Sequence, residues 1–548
     1  MAQYDDEKKE ALEPVDVIGE LPGISQPGFL SLELRVWPGG RDPASAATVV
    51  QQSKLSNKRP HRVSHVPDNL STIEAVCDSP PPSTVALSIT AFKDEQAKGV
   101  LYNGRPMDHS AAPVTIYHPA FARLRERLQQ ITKGESLDDC YRNSAAQIGQ
   151  LFDVACKIYD SERLREDAIM SRLGKILNVT WDLRKDIGSK RRVAQADGIA
   201  RLELDYEVYE RWPVYACAEL KNELGLNGIC EIQVAATYEQ AVVQPEYAKI
   251  RETTCCPCIL LSIAGPFIRF YGAVLADAFI VQPFTDYIFL GGDPDAEDRI
   301  EHVAQILAAV QTALEELKRW YKDVLFGGGE PQGANHILPH PSYARDSDRA
   351  LLSTLQFLDR FQYSGCRRKR PGKSSVDDFQ RSLFRARLNG TEVLVKFCFR
   401  YGESAHRLLA EHDPPLAPRL YACAPLVGGA IMVVMAIVPG GNTAWKQYGL
   451  GPLPDSVVCD IEGALKVLEQ KGLVHGDVRR PNVVTIQRPN GTTGGMLIDF
   501  DWSGKHGEVY YPSLLNQDIS WQQGVAPGQP IRSEHDWEMW RALQSGMV

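Results

Sequence analysis

The sequence contains no apolar run able to cross a membrane. Its longest, Ile259 to Val281, is broken by Gly265-Pro266 and carries Arg269 and Asp277, a pattern that a membrane helix would not tolerate. There is no excess of basic charge. The net charge is −9 over 548 residues, which argues against a uniform nucleic-acid coat but leaves room for a local basic groove. No internal repeat is present, so solenoids and arrays are excluded. The 12 cysteines show no paired spacing, which points to free thiols in a reducing compartment, cytoplasm or nucleus. Cys255-Cys256-Pro257-Cys258 has no second ligand pair at a suitable distance, so it reads as buried or loop thiols rather than a zinc site. The opening MAQYDDEKKE is charged throughout and does not read as a secretory signal.

What is present is ordinary globular material, 44% hydrophobic and 24% charged, enough for roughly three or four units. Residues 1–110 read as weakly ordered. They hold Ser79-Pro80-Pro81-Pro82-Ser83 and a few short strand candidates, Phe29 to Trp37 and Thr84 to Ala91. Helical spacing marks Phe121 to Ile131, Ala145 to Tyr159, Ile229 to Tyr247 and Ile300 to Val324. Val214 to Leu220 reads as a strand and Ile259 to Phe289 as a β-meander. The glycine-rich stretch from Gly327 to Gly333 reads as a linker.

The last third carries a phosphotransfer pattern in chain order. Phosphoryl transfer needs a carboxylate for the attacking hydroxyl, oxygens for a metal that bridges the phosphates, and a cation to hold them. Phe384 to Leu388 and Val393 to Phe397, joined by Asn389-Gly390, predict a β-hairpin. Lys396 sits among Val393, Leu394, Val395 and Phe397, where it needs an anionic partner. Glu403, on a helix predicted over Gly402 to Glu411, fits that role, with His406 and Glu411 as competitors. The strand Ala430 to Val438 would present backbone groups to an adenine ring near Ala436 to Val438. After a helix over Val457 to Gln470 come His475-Gly476-Asp477 through Asn482, then Asp499-Phe500-Asp501. In this pattern Asp477 is the base, Asn482 and Asp499 are metal ligands, and Arg479 is a cation for the γ-phosphate.

Residues 345–548 resemble the kinase-like domain common in fungal proteins, through Tyr401 to His406, His475 to Asn482 and Asp499 to Gly504. The resemblance implies a two-lobed protein-kinase-like fold using ATP and Mg²⁺. The sequence departs from that pattern in several places. No G-x-G-x-x-G precedes Lys396, Asp501 replaces the glycine of D-F-G, no A-P-E follows, and the segment after Asn482 is short. A non-enzymatic pseudokinase scaffold therefore stands beside transfer to Ser or Thr of a protein, and the H-G-D variant also serves small-molecule phosphotransferases.

A second constellation lies upstream. Glu219-Leu220-Lys221 ends a strand, with both charged side chains on one face. Asp197 lies one hairpin earlier and Gln233 on the following helix. A nuclease needs such carboxylates for Mg²⁺ and such a lysine for the attacking water. The arrangement resembles the PD-(D/E)xK nuclease superfamily. Joined to such a kinase, it is similar to Crinkler-type proteins of fungi and oomycetes, which implies contact with DNA. The basic runs Arg184 to Arg192 and Arg367 to Lys373 read as solvated loops, or as an import signal or phosphate contacts. The fold class expected is a multidomain α/β and α+β chain. It has a weakly ordered region over 1–110, a restriction-endonuclease-like α/β unit over 111–326, a linker over 327–344 and the kinase-like unit over 345–548.

Overall fold

The computed structural model describes residues 69–107, 109–135, 145–189, 192–202, 212–326, 336–361, 382–517 and 519–545. The chain is a mixed α/β molecule with several sheets.

The apolar stretch after Pro257 folds as its turns require. Cys258–Ala264, Phe267–Leu275 and Phe279–Pro283 run antiparallel to one another in succession, and Gly265 takes a left-handed φ of 55° at the first turn. They join Asp182–Ser189, Arg192–Arg201 and Val214–Lys221 in an eight-stranded sheet. Val214–Lys221 pairs parallel with Cys258–Ala264. A parallel pair needs a crossover, and the helix Cys230–Val242 supplies it, buried at every residue except Glu231. The register sets Gly198 opposite Ala218 and Glu219 opposite Ser262. The 31-residue helix Ala296–Phe326 closes this layer with Pro119–Thr132, Ala145–Ala155 and Glu162–Leu177.

A second sheet is wholly antiparallel, in the order Leu420–Pro425, Ile431–Ala436, Thr391–Cys398, Leu383–Leu388, Gln356–Arg360. Asn389 and Gly390 both have positive φ, 49° and 81°, the primed turn that the Asn-Gly pair favours. Period two splits the Thr391–Cys398 strand. Val393, Val395 and Phe397 enter one hydrophobic core continuous with that of the eight-stranded sheet. Leu394 and Cys398 border a small separate cluster with Val433 and Met435, so Lys396 shares their face. A third core gathers the helices Glu403–Ala410, Asp455–Gln470 and Ser533–Ser545 with the segments around His475 and Phe500.

One partly buried ion pair ties the first two sheets. Arg360 donates Nε to Asp277 Oδ2 at 2.7 Å and Nη2 to Asp277 Oδ1 at 2.8 Å, and also reaches the Tyr117 hydroxyl. Bidentate geometry makes this the strong kind of charged contact.

Two expectations need correction. Thr84 to Ala91 is helical, as parts of Pro82–Leu87 and Ile89–Ala97, not a strand. Pro82 occupies the first helical position, where a missing N–H costs nothing. The weak order expected over 1–110 fails from Leu70 onward. Three helices stand there, and Leu101–Tyr102 joins the edge of the eight-stranded sheet. The strand candidate Phe29 to Trp37, the linker glycines Gly327 to Gly333 and the run Arg367 to Lys373 lie outside the described residues.

Removing Arg360 leaves Asp277 with water only on its exposed edge. Arg360→Ala is expected to cost about 1.5–3 kcal/mol in a denaturant titration, the range for a lost charged hydrogen bond. A loss no larger than that of an exposed arginine would mean that the pair does not join the sheets.

Candidate active site

The lysine strand and the loop after Thr493–Leu497 meet at three charges. Lys396 is 4% exposed. Its ammonium donates to Asp499 Oδ1 at 2.7 Å and to Asp501 Oδ1 at 2.7 Å. The two carboxylates hold Lys396 above the ordinary lysine range against its desolvation. Burial pushes the Asp501 carboxyl up to about 7, although Lys396 opposes the shift. Asp499 has a φ of 67°, a left-handed backbone that is unusual for a residue other than glycine and that recurs at functional sites.

None of the helix partners proposed for Lys396 reaches it. Glu403 is half exposed and pairs with Arg407 at 2.8 Å. His406 Nε2 bonds the Pro418 carbonyl at 2.7 Å, which leaves its Nδ1 to accept from the Tyr401 hydroxyl at 2.6 Å. Glu411 lies past the end of the helix, at its C-cap. The expectation that Glu403, His406 or Glu411 holds Lys396 is corrected: the partner comes from the Asp499–Asp501 loop.

The H-G-D loop sits beside this triad. Asn482 O accepts from Ile498 N at 3.0 Å, and Ile498 O is met by His475 Nε2 at 3.1 Å. Asp477 accepts from Asn482 Nδ2 at 2.7 Å and from Arg479 Nη2 at 2.8 Å. Arg479 is thus engaged with Asp477, and its guanidinium lies 5.1 Å from the Trp521 ring centre. Asn482 Oδ1 is buried and has no hydrogen-bond partner. A buried oxygen without a donor is costly unless something binds it. Among the described residues, no three His, Cys, Asp or Glu side chains are grouped to hold a metal by themselves. Mg²⁺ asks for less, because phosphate oxygens and water complete its shell. Asn482 Oδ1 and the Asp499 carboxylate are oxygens of the kind that ion takes, and the bond from Ile498 N to Asn482 O joins their segments. Near the strand expected to meet adenine, the Ala436 N–H is already bonded to Arg419 O at 2.8 Å, and Val438 O accepts from Gly441 N.

Two supports escaped the sequence reading. Asp536, on the terminal helix, accepts from the backbone N–H of His475 at 2.7 Å and of Gly476 at 2.8 Å, and so fixes the loop from below. Burial raises its carboxyl to about 7. Nothing local in the sequence marks it. Phe500 stacks on His406, with ring centres 4.5 Å apart, and meets His475 edge-on at 5.1 Å. Gly476 has a φ of 86°, and a Cβ there would press on Ile531 and Trp502, so the central glycine of H-G-D is required.

The upstream constellation also converges. Glu219, fully buried, accepts from Gln233 Nε2 and Thr237 Oγ1, each at 2.6 Å. Asp197 Oδ2 accepts from Leu220 N at 2.7 Å. Burial first, and then the Asp197 charge, hold Glu219 well above the carboxylate range. Lys221 reaches Glu162 at 3.2 Å. Glu162 and Glu166, one helical turn apart, were missed. Burial and Asp197 push Glu166 up to about 7. Arg184 is spent on Glu166 and Asp167, so it is not an open phosphate contact. Cys255, Cys256 and Cys258 are buried thiols pushed up by desolvation.

No protein-family model matches this chain, and no curated protein matches it. Among solved structures, the kinase PK-1 of Cydia pomonella granulovirus is similar at 15% identity. The match covers 36% of this chain and 68% of that one, with a TM-score of 0.26, which establishes no shared fold. No helix among the described residues is long and apolar enough to cross a membrane.

Burial holds His406 down to about 4, from an ordinary 6.5. The folded state then binds fewer protons than the unfolded one between those values. Its contribution is complete above pH 6.5 and is lost as pH falls toward 4, a change of up to about 3 kcal/mol. Denaturant midpoints measured across that window should fall less steeply for His406→Gln than for the wild type. Parallel curves would contradict the assignment.

Proposed function

We propose that residues 345–548 form a protein-kinase-like unit that transfers the γ-phosphoryl group of ATP, with Mg²⁺, to a Ser or Thr hydroxyl of a protein. One observation carries the reading: Lys396, Asp477, Asn482 and Asp499 come from separated segments to one locus, where Asn482 Oδ1 is buried without a partner. Bound Mg²⁺-ATP would supply the phosphoryl group and neutralise its developing charge. The residues supply position. Asp477 orients the acceptor hydroxyl and takes its proton as the oxygen–phosphorus bond forms and the β–γ bridging bond breaks. Lys396 holds phosphate oxygens in a site of low dielectric. Arg479 orients the Asp477 carboxylate and adds positive charge beside the transferred group. Ala436 and Val438 are the residues assigned to adenine in this reading, and the backbone bonds of Ala436 to Arg419 and of Gly441 to Val438 would have to yield to it.

Asp477→Ala should lower ³²P transfer to a protein acceptor by about a hundredfold to ten-thousandfold. Nucleotide binding should survive, with a stabilisation of about 2.7 kcal/mol at a hundred times the dissociation constant. Equal ³²P incorporation by variant and wild type would sink the claim.

A second reading, Mg²⁺-dependent cleavage of DNA by a restriction-endonuclease-like unit over 111–326, is favoured by the assembly of Asp197, Glu219, Lys221 and Gln233. The two carboxylates would take a divalent cation and Lys221 would steady the attacking water. Both Glu219 oxygens now face the helix Cys230–Val242, so a cation would have to displace Gln233 or Thr237. Plasmid cleavage that requires Mg²⁺ and disappears in Lys221→Ala is the expected outcome. Intact plasmid after long incubation at several metal concentrations would count against it.

A further inference from the structure

Lys396 is held by two carboxylates from one loop and by nothing from the adjacent helix. We propose that Asp501 is a positioning residue: it anchors Lys396 in place of a helix glutamate and keeps the lysine paired when Asp499 turns to the metal. The inference rests on the phosphotransfer reading only in naming the ion that Asp499 receives.

The argument is one of charge and attachment. Lys396, Asp499 and Asp501 are all nearly excluded from solvent, with side chains 5%, 8% and 5% exposed. One ammonium faces two carboxyl groups, so the group carries a surplus negative charge whenever both are ionised, and a divalent cation would favour that state. If Asp499 were the sole partner, its move to a metal would strand a buried ammonium, which is strongly unfavourable. Asp501 removes that conflict. A glycine at this position, as in D-F-G, would leave Lys396 with Asp499 alone.

Asp501 is itself fixed on both sides. Its carbonyl accepts from Arg400 Nε at 2.8 Å, and Arg400 Nη1 donates onward to Tyr510 O at 2.7 Å. Phe500 O accepts from Gly402 N at 2.8 Å, and Ser503 Oγ donates to His475 O at 3.0 Å. Gly402 permits the approach, because a Cβ there would lie 2.6 Å from Ser503 O. The lysine anchor thus belongs to the same loop as the metal ligand. Its position does not depend on the helix Glu403–Ala410, whose only glutamate is paired with Arg407. This site is assembled without a swing of that helix.

The test reads Lys396 directly. The full chain is treated with an amine-reactive reagent, and labelling at Lys396 is followed by peptide mass spectrometry, with and without millimolar Mg²⁺. Without Mg²⁺, Asp501→Asn should leave Lys396 protected, because Asp499 still holds it. Mg²⁺ should raise labelling by about tenfold in that variant, as the remaining charged hydrogen bond is lost, and leave the wild type protected. Glu403→Gln and Asp499→Asn should both stay protected. Exposure of Lys396 by Glu403→Gln, exposure of the wild type by Mg²⁺, or no Mg²⁺ effect in Asp501→Asn overturns the proposal. If Asp501→Asn does not fold, the other two variants decide: protection in both supports it, and loss in either overturns it. No arm requires phosphotransfer. An inactive chain with a protected Lys396 would defeat the catalytic reading and leave this one standing.

Discussion

The contact of Lys396 with Asp499 and Asp501 is the constraint on which the site depends. It joins the five-stranded sheet to the helical core, and it does so with charges that cannot be solvated where they lie. A buried ammonium has to be paired, and each buried carboxylate needs a cation or a proton. The pairing therefore sets how the lysine strand and the Asp499 loop face each other. The H-G-D loop is then placed by short bonds to the same loop, through Ile498, and by Asp536 beneath it. In the phosphotransfer proposed above, these charges would meet an anion accompanied by a cation.

Beneath this site lies a shared foundation. The outward face of the five-stranded sheet enters the core of the eight-stranded sheet, with Phe384, Phe397 and Met432 on one side and the strand Phe267–Leu275 among the other members. Arg360 and Asp277 lock the same seam. The two candidate sites therefore sit on one packed body. Their sequence signatures are separate, but the burial that holds them in shape is common.

Much of the site was legible because its signals are local. Asn389-Gly390 dictates a hairpin, and the alternation around Lys396 turns it to the face opposite Val395 and Phe397. H-G-D, Asn482 and D-F-D each carry their geometry in a few residues. What the sequence could not show was pairing at long range. Lys396 and Asp501 are 105 positions apart, and the nearby helix offered an acid, Glu403, that looked suitable. Asp536 hid for the same reason, as did Glu162 and Glu166 beside Lys221 and Asp197. The proline run near Pro82 misled in another way. Proline breaks a helix inside it and starts one at its first position, and composition alone does not say which.

The central claim is that Asn482 Oδ1, Asp499 and Lys396 form a site for Mg²⁺-ATP. Calorimetric titration of ATP into the full chain, with and without Mg²⁺, tests it most directly. Saturable binding that requires Mg²⁺ and is lost in Asp499→Ala is the predicted result. Absence of binding at millimolar ATP, or binding unchanged by Mg²⁺ and by Asp499→Ala, would contradict it.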